Sequence, residues 1–124
     1  MPTVVGIALA GALGALGRYG LEGFVSRRVT GAFPWGTLVV NVSGAFALGL
    51  VFTLFTERYV IPPWARSSIT IGFLGAYTTF STFSFETYRL LEDRAYLLAA
   101  ANSLGSLALG LAAVYLGVVA GRAV

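Results

Sequence analysis

Residues 35–56, 67–85 and 95–121 contain no charged side chain, and residues 2–25 hold only Arg18 and Glu22. About 20 consecutive apolar residues wound as an α-helix cross the hydrocarbon core of a bilayer, so each run is long enough to span. The apolar character is continuous rather than alternating, which argues against membrane strands. Short joints separate the runs and carry turn or interface signals: "SRRVTGAFPW", "TERYVIPPWARS" and "RLLEDRA". Trp35, Tyr59, Trp64 and Tyr96 fall near the ends, where amphipathic rings favour the membrane interface. The sequence therefore predicts an all-α integral membrane protein, one domain over residues 1–124. Its four transmembrane helices are expected at about 2–25, 35–56, 67–90 and 95–121.

Composition removes several function classes. With 57% hydrophobic and 10% charged residues, the chain lacks the polar surface of a soluble domain. Cysteine and histidine are absent, so thiolate and imidazole metal sites and the commonest general base are excluded. The N-terminal "MPTVVGIALAG" lacks the basic region that precedes an export segment. No carboxylate pair lies within one run and no phosphate-cradling loop is present, so no catalytic set is visible.

With four spans, Arg58, Arg66 and Arg122 fall on the side of the termini and Arg27, Arg28, Arg89 and Arg94 on the other. Arginine asymmetry normally fixes the direction of insertion, and three against four is almost none. Either folding or a partner sets the direction, or the chain inserts both ways and opposite copies pair. Small residues recur at four-residue spacing: Gly6, Ala10 and Gly14 in the first run, Asn102, Ser106 and Gly110 in the last. Such stripes let helix backbones approach closely, either within one monomer or between copies.

Polar groups inside the spans mark where function is to be sought. Asn41 must find a partner in hydrocarbon, most simply an interhelical hydrogen bond. Arg18 and Glu22 are four residues apart and face the same way, as a local ion pair or a vestibule wall. In "GAYTTFSTFSFE", residues 75–86, five side chains are Ser or Thr. Gly72, Gly75, Thr78 and Thr79 weaken the helix there through glycine entropy and hydroxyl competition, predicting a third helix broken near its middle. A break frees carbonyl oxygens, tolerable only against protein or a polar site, and such oxygens suit a hard cation. Phe80 and Phe83 share a face three residues apart. Ring edges are positive, so two edges with neighbouring hydroxyls can receive an anion. The plainer reading is a Phe-rich helix whose hydroxyls bond back to carbonyls one turn earlier.

The stretch "GFLGAYTTFSTFSFE" resembles the signature of the small fluoride channels called Fluc or CrcB. "GALGALGRYG" is similar to that family's first-helix pattern and "PWGTLVVNVSGAFALG" to its second. The resemblance covers nearly the whole chain. It implies an antiparallel, dual-topology homodimer in the plasma membrane that passes fluoride passively out of the cytoplasm. It also implies a structural sodium ion at the dimer centre, held by the backbone carbonyls of Gly75 and Thr78 from both copies. The fluoride pathway would use Phe80, Phe83, Asn41, Ser81, Thr82 and Ser106, with Glu86 as the family's acidic residue and Arg18 in the vestibule. Leu74, Ala76 and Tyr77 depart from the common Cys, Gly and Phe. Asn102 stands where the family's track has a tyrosine, and can still donate; Gly110 stands where a hydroxyl often occurs. Two rival readings are a small proton-coupled multidrug exporter, with Glu22 as its coupling carboxylate, and a non-transporting membrane subunit.

Overall fold

The computed structural model describes residues 1–124, and all of its regular structure is helical. Helix α1 (Pro2–Ser26) opens on a proline, whose missing N–H costs nothing in a first turn. Helix α2 (Trp35–Thr53) runs on into a wide turn at Leu54–Arg58, closed by the Tyr59 N–H on the Leu54 carbonyl (2.8 Å). The third span, here α3, starts at Pro63, a few residues earlier than expected, because Pro62 and Pro63 end the preceding extended segment and set the first turn. It continues through wide, π-type winding at Ser68–Leu74 and a last turn at Gly75–Tyr77. Thr78 and Thr79 are then both extended (φ −89°, ψ 160° and φ −150°, ψ 120°), and α4 (Phe80–Glu92) resumes beyond them. The expected break is present. Helix α5 (Tyr96–Ala123) follows a tight joint in which Arg94 takes a positive φ of 60° and the Ala95 N–H reaches the Leu90 carbonyl (2.8 Å).

Three helices, Pro2–Ser26, Trp35–Arg58 and Tyr96–Ala123, are long and apolar enough to cross a membrane unaided. The third span is split by its break and reaches comparable length only as α3 plus α4. Few side chains are buried: Leu38, Val40, Leu74, Leu90, Ala99 and Ala113 make up the apolar core. Leucines on α1 and α5 instead point outward, which is favourable where lipid is as apolar as leucine.

Two helix pairs carry the packing, and small residues make both possible. In the α2–α5 pair, a methyl at Gly117 would meet the Leu50 nitrogen at 2.8 Å, and one at Gly49 would meet the Val114 backbone. In the α1–α3 pair, Gly14 lies against the Phe73 carbonyl and Gly72 against Ile7 and Ala10. The first-run stripe therefore packs within the monomer. Gly110 is different, with open space where a side chain would begin.

The termini and the α2–α3 joint share one end of the bundle. There Arg122 pairs with Glu57 (3.2 Å), and the guanidinium of Arg58 caps the Arg122 carbonyl. Arg27, Arg28, Arg89 and Arg94 lie at the other end, so the near-balance of arginines read from the sequence holds in three dimensions.

Candidate ion pathway

The break in the third span is built by exchanging hydrogen bonds. In a continuous helix the Thr79 N–H would bond to the Gly75 carbonyl; here it donates to Asn41 Oδ1 (2.9 Å). Asn41 Nδ2 in turn donates to the Thr79 carbonyl (3.0 Å), so one amide side chain on α2 clamps both polar groups of one extended residue. The Thr82 N–H, which would otherwise serve the Thr78 carbonyl, donates to Thr79 Oγ1 (3.2 Å) and caps the start of α4. The carbonyls of Gly75 and Thr78 thereby lose their helical donors. The Leu74 carbonyl, by contrast, accepts from both the nitrogen (3.1 Å) and the hydroxyl (2.9 Å) of Thr78.

Neighbouring contacts hold this arrangement in place. Tyr77 Oη and Ser43 Oγ are 2.8 Å apart, tying the last turn of α3 to α2. Gly44 gives way to Thr78 and Tyr77, and a methyl there would strike the Thr78 side chain. The Tyr77 ring stacks on Phe73 at 6.0 Å.

A groove of about 620 Å³ opens beside the break. Asn41, Gly75, Thr78, Phe80, Phe83 and Ser106 all line it. Phe80 and Phe83 stand 6.0 Å apart between centroids with their planes inclined by 46°, and Phe80 is 79% exposed in the single chain. The N-terminus of α4 adds partial positive charge beside the rings. Asn41 spends one of its two N–H groups on Thr79, and its second bonds to no protein acceptor. Two aromatic rings, an amide side chain and a hydroxyl side chain therefore line one concave surface together with the two residues whose carbonyls are freed from the helix.

The remaining residues singled out by the sequence lie elsewhere. Ser81 is exposed and Thr82 half-buried, and neither lines the groove. Asn102 is 1% exposed; its Nδ2 donates to Thr87 Oγ1 (2.8 Å), and Ser106 Oγ donates to its Oδ1 (3.4 Å). Thr87 passes the chain on to the Phe83 carbonyl (2.9 Å). Asn102 thus joins α4 to α5 from behind the groove wall and reaches the groove through Ser106. Glu86 lines a separate cavity with Glu22 and Thr37. Arg18 and Glu22 do pair, at 3.9 Å.

Thr87 and Ser43 were not singled out by the sequence, and Thr79 was read only as a helix-weakening residue. Its capping role was signalled by "TFST" ahead of a helical run. The bonds of Thr87 to Asn102 and of Ser43 to Tyr77 join different helices and carried no local signal.

Residues 5–118 match the family described as CrcB-like protein, Camphor Resistance (CrcB). Among curated relatives, a protein of Citrifermentans bemidjiense called fluoride-specific ion channel FluC is 52% identical over 123 residues, 99% of either chain. Its namesake in Geobacter metallireducens is 52% identical over 122 residues, 98% of each. Another from Solibacter usitatus is 49% identical over 116 residues, 94% of this chain and 95% of the other. A match of this extent, in a chain with three helices long and apolar enough to cross a membrane, places it in the CrcB-like family of multi-pass membrane proteins.

Proposed function

We propose that this protein is a fluoride-selective channel of the plasma membrane that lets fluoride leave the cytoplasm passively. The observation that carries the reading is the meeting of Asn41, Phe80, Phe83 and Ser106 on one groove beside a broken helix. Fluoride is small and strongly hydrated, so a selective route must replace its water with closely set donors. Ring edges and an amide N–H supply modest attraction from several directions, which allows the ion to leave again. Ser81 and Thr82 would extend the polar track once an ion has entered. Arg18 would attract anions toward the mouth, and Glu86 would stand beside their route.

The active form in this reading is an antiparallel, dual-topology homodimer. Balanced arginines at the two ends favour neither direction of insertion. An open groove with a large exposed ring at its rim is also better completed by a second copy than by lipid. A structural sodium ion fits the residues present. The Gly75 and Thr78 carbonyls have lost their helical donors to Asn41 and Thr79, and neutral carbonyl oxygens suit a hard monovalent cation. The carbonyls of both copies would hold it at the dimer centre.

Glu22 is already paired with Arg18 near one end of α1, so it lacks the free mid-span position that a proton-coupled exporter would need. Purified protein in liposomes loaded with potassium fluoride tests the reading. Adding a potassium ionophore should release fluoride to an external electrode without any proton gradient. Release that required a proton gradient, or no release at all, would overturn it.

A further inference from the structure

The arginines at the two ends of the bundle are used differently. At the end that holds the termini, every guanidinium is spent on the protein itself. Arg58 caps the Arg122 carbonyl, Arg66 donates to the Phe55 carbonyl (3.0 Å) and Arg122 pairs with Glu57 (3.2 Å). At the remote end, Arg27, Arg28, Arg89 and Arg94 are all exposed, and no guanidinium among them forms an ion pair or a hydrogen bond to protein. Glu92 and Asp93 stand at the same end, so the four arginines leave that rim net positive.

Two of these arginines are held in the same way. Arg28 lies over the Phe24 ring at 4.0 Å and Arg89 over the Phe85 ring at 5.9 Å. In both pairs the ring precedes the arginine by four residues, the spacing at which side chains meet on a helix. Long side chains lean back toward the N-terminus, which carries each guanidinium over its ring. The ring contact occupies the flat face of the cation and leaves the in-plane N–H groups unspent. Such a fork matches two oxygens of a phosphate. Phe24 and Arg28 flank the end of α1, and Phe85 and Arg89 lie in the last turns of α4. Exposed Trp35, Tyr88 and Tyr96 lie at the same end, and such rings favour the headgroup level of a bilayer. The phosphate available at that depth belongs to lipid. A headgroup carrying its own ammonium would bring a cation against the arginines, so an anionic headgroup fits better.

We propose that the Phe24–Arg28 and Phe85–Arg89 pairs bind the phosphates of anionic phospholipid, with Arg27 and Arg94 adding attraction. This rim is separate from the groove at the break and does not depend on the fluoride reading. Lipid held there fixes the depth of α1 and α4 in the bilayer.

Native mass spectrometry of the full-length protein, released from non-ionic detergent with equal amounts of phosphatidylglycerol and phosphatidylcholine, tests the proposal. An arginine near a membrane surface is worth about fivefold in binding anionic lipid, so phosphatidylglycerol should be retained at least about fivefold in preference. The double variant Arg28→Gln, Arg89→Gln should lose most of that preference. Arg28→Lys with Arg89→Lys should keep part of it, because charge remains without the fork. Phe24→Leu with Phe85→Leu should lower it about twofold with every charge in place. Arg58→Gln with Arg66→Gln removes as much charge from the other end and should leave the preference intact. Equal retention of the two lipids by the unaltered protein, or a preference unchanged in Arg28→Gln, Arg89→Gln, would overturn the proposal. So would an equal loss in Arg58→Gln, Arg66→Gln, since overall charge would then attract the lipid. Displacement of bound phosphatidylglycerol by millimolar inorganic phosphate would also overturn it, because the site would then take phosphate from any source.

Discussion

Replacing Asn41 by alanine tests how the break is held. Asn41 makes two hydrogen bonds to one extended residue, at 2.9 and 3.0 Å, and no other side chain reaches those backbone groups. Hydrogen bonds between helices in a membrane average about 0.6 kcal/mol, because the unfolded helices also find partners. Backbone groups left buried and unmatched cost more, about 1–3 kcal/mol each. Thr79 cannot easily find new partners while it stays extended, so the two losses together should come to about 2 kcal/mol. The chain's one escape is to return the Thr79 N–H to the Gly75 carbonyl and close the helix, which would abolish the freed oxygen. A shift of about 2 kcal/mol against the broken form lowers its ratio to the closed form roughly 30-fold. Fluoride efflux from liposomes should fall by up to that factor, and the midpoint of denaturant unfolding in detergent should drop. Asn41→Asp keeps an acceptor for the Thr79 N–H but no donor for its carbonyl, and should fall between. Exchange of the Thr79 amide with solvent, read by hydrogen–deuterium mass spectrometry, should quicken in the broken state of Asn41→Ala and much less in Asn41→Asp, which still accepts from that amide. Wild-type stability with flux within twofold in Asn41→Ala would refute the clamp.

Other consequences follow from the packing and the rings. Phe80→Ile or Phe83→Ile should suppress fluoride flux at least tenfold while size-exclusion profiles stay unchanged, since aromatic edges lose their charge pattern but the volume is largely kept; unchanged flux in both would count against the rings. Gly117→Val should destabilise the protein by about 2 kcal/mol or more, because its side chain would enter the α2 backbone, whereas Gly110→Ala should be neutral to within about 0.5 kcal/mol. Asn102→Ala should cost about 1 kcal/mol in unfolding assays and leave fluoride selectivity intact, since the amide binds Thr87 and Ser106 from behind the groove.

Uncharged runs of spanning length made the helical membrane class legible at once, and the glycine and threonine cluster at residues 72–79 located the break to within a residue or two. Both are local properties: one of composition, the other of backbone propensity. Asn41 was visible as a polar group in hydrocarbon, yet its partner lies 38 positions away and no spacing rule names it. For Asn102 the residue type was informative but its direction was not. Whether it faces groove or neighbour depends on how α4 turns after the break, which the register of two extended residues decides. Glu22 and Glu86 were each visible as charges at the ends of apolar runs, but that they share one cavity with Thr37 could not be foreseen, because the three residues come from different helices. Small-residue stripes announced close packing without saying with what. The stripe of α1 turned inward to α3, whereas Gly110 on α5 faces open space.

The most direct measurement is the reversal potential of current through the purified protein in a planar bilayer under a fluoride gradient. Selective, passive conduction along the groove predicts a current that reverses at the equilibrium potential of fluoride and ignores an imposed chloride or proton gradient. A reversal that tracked chloride or protons, or a silent membrane with folded protein in it, would contradict the account.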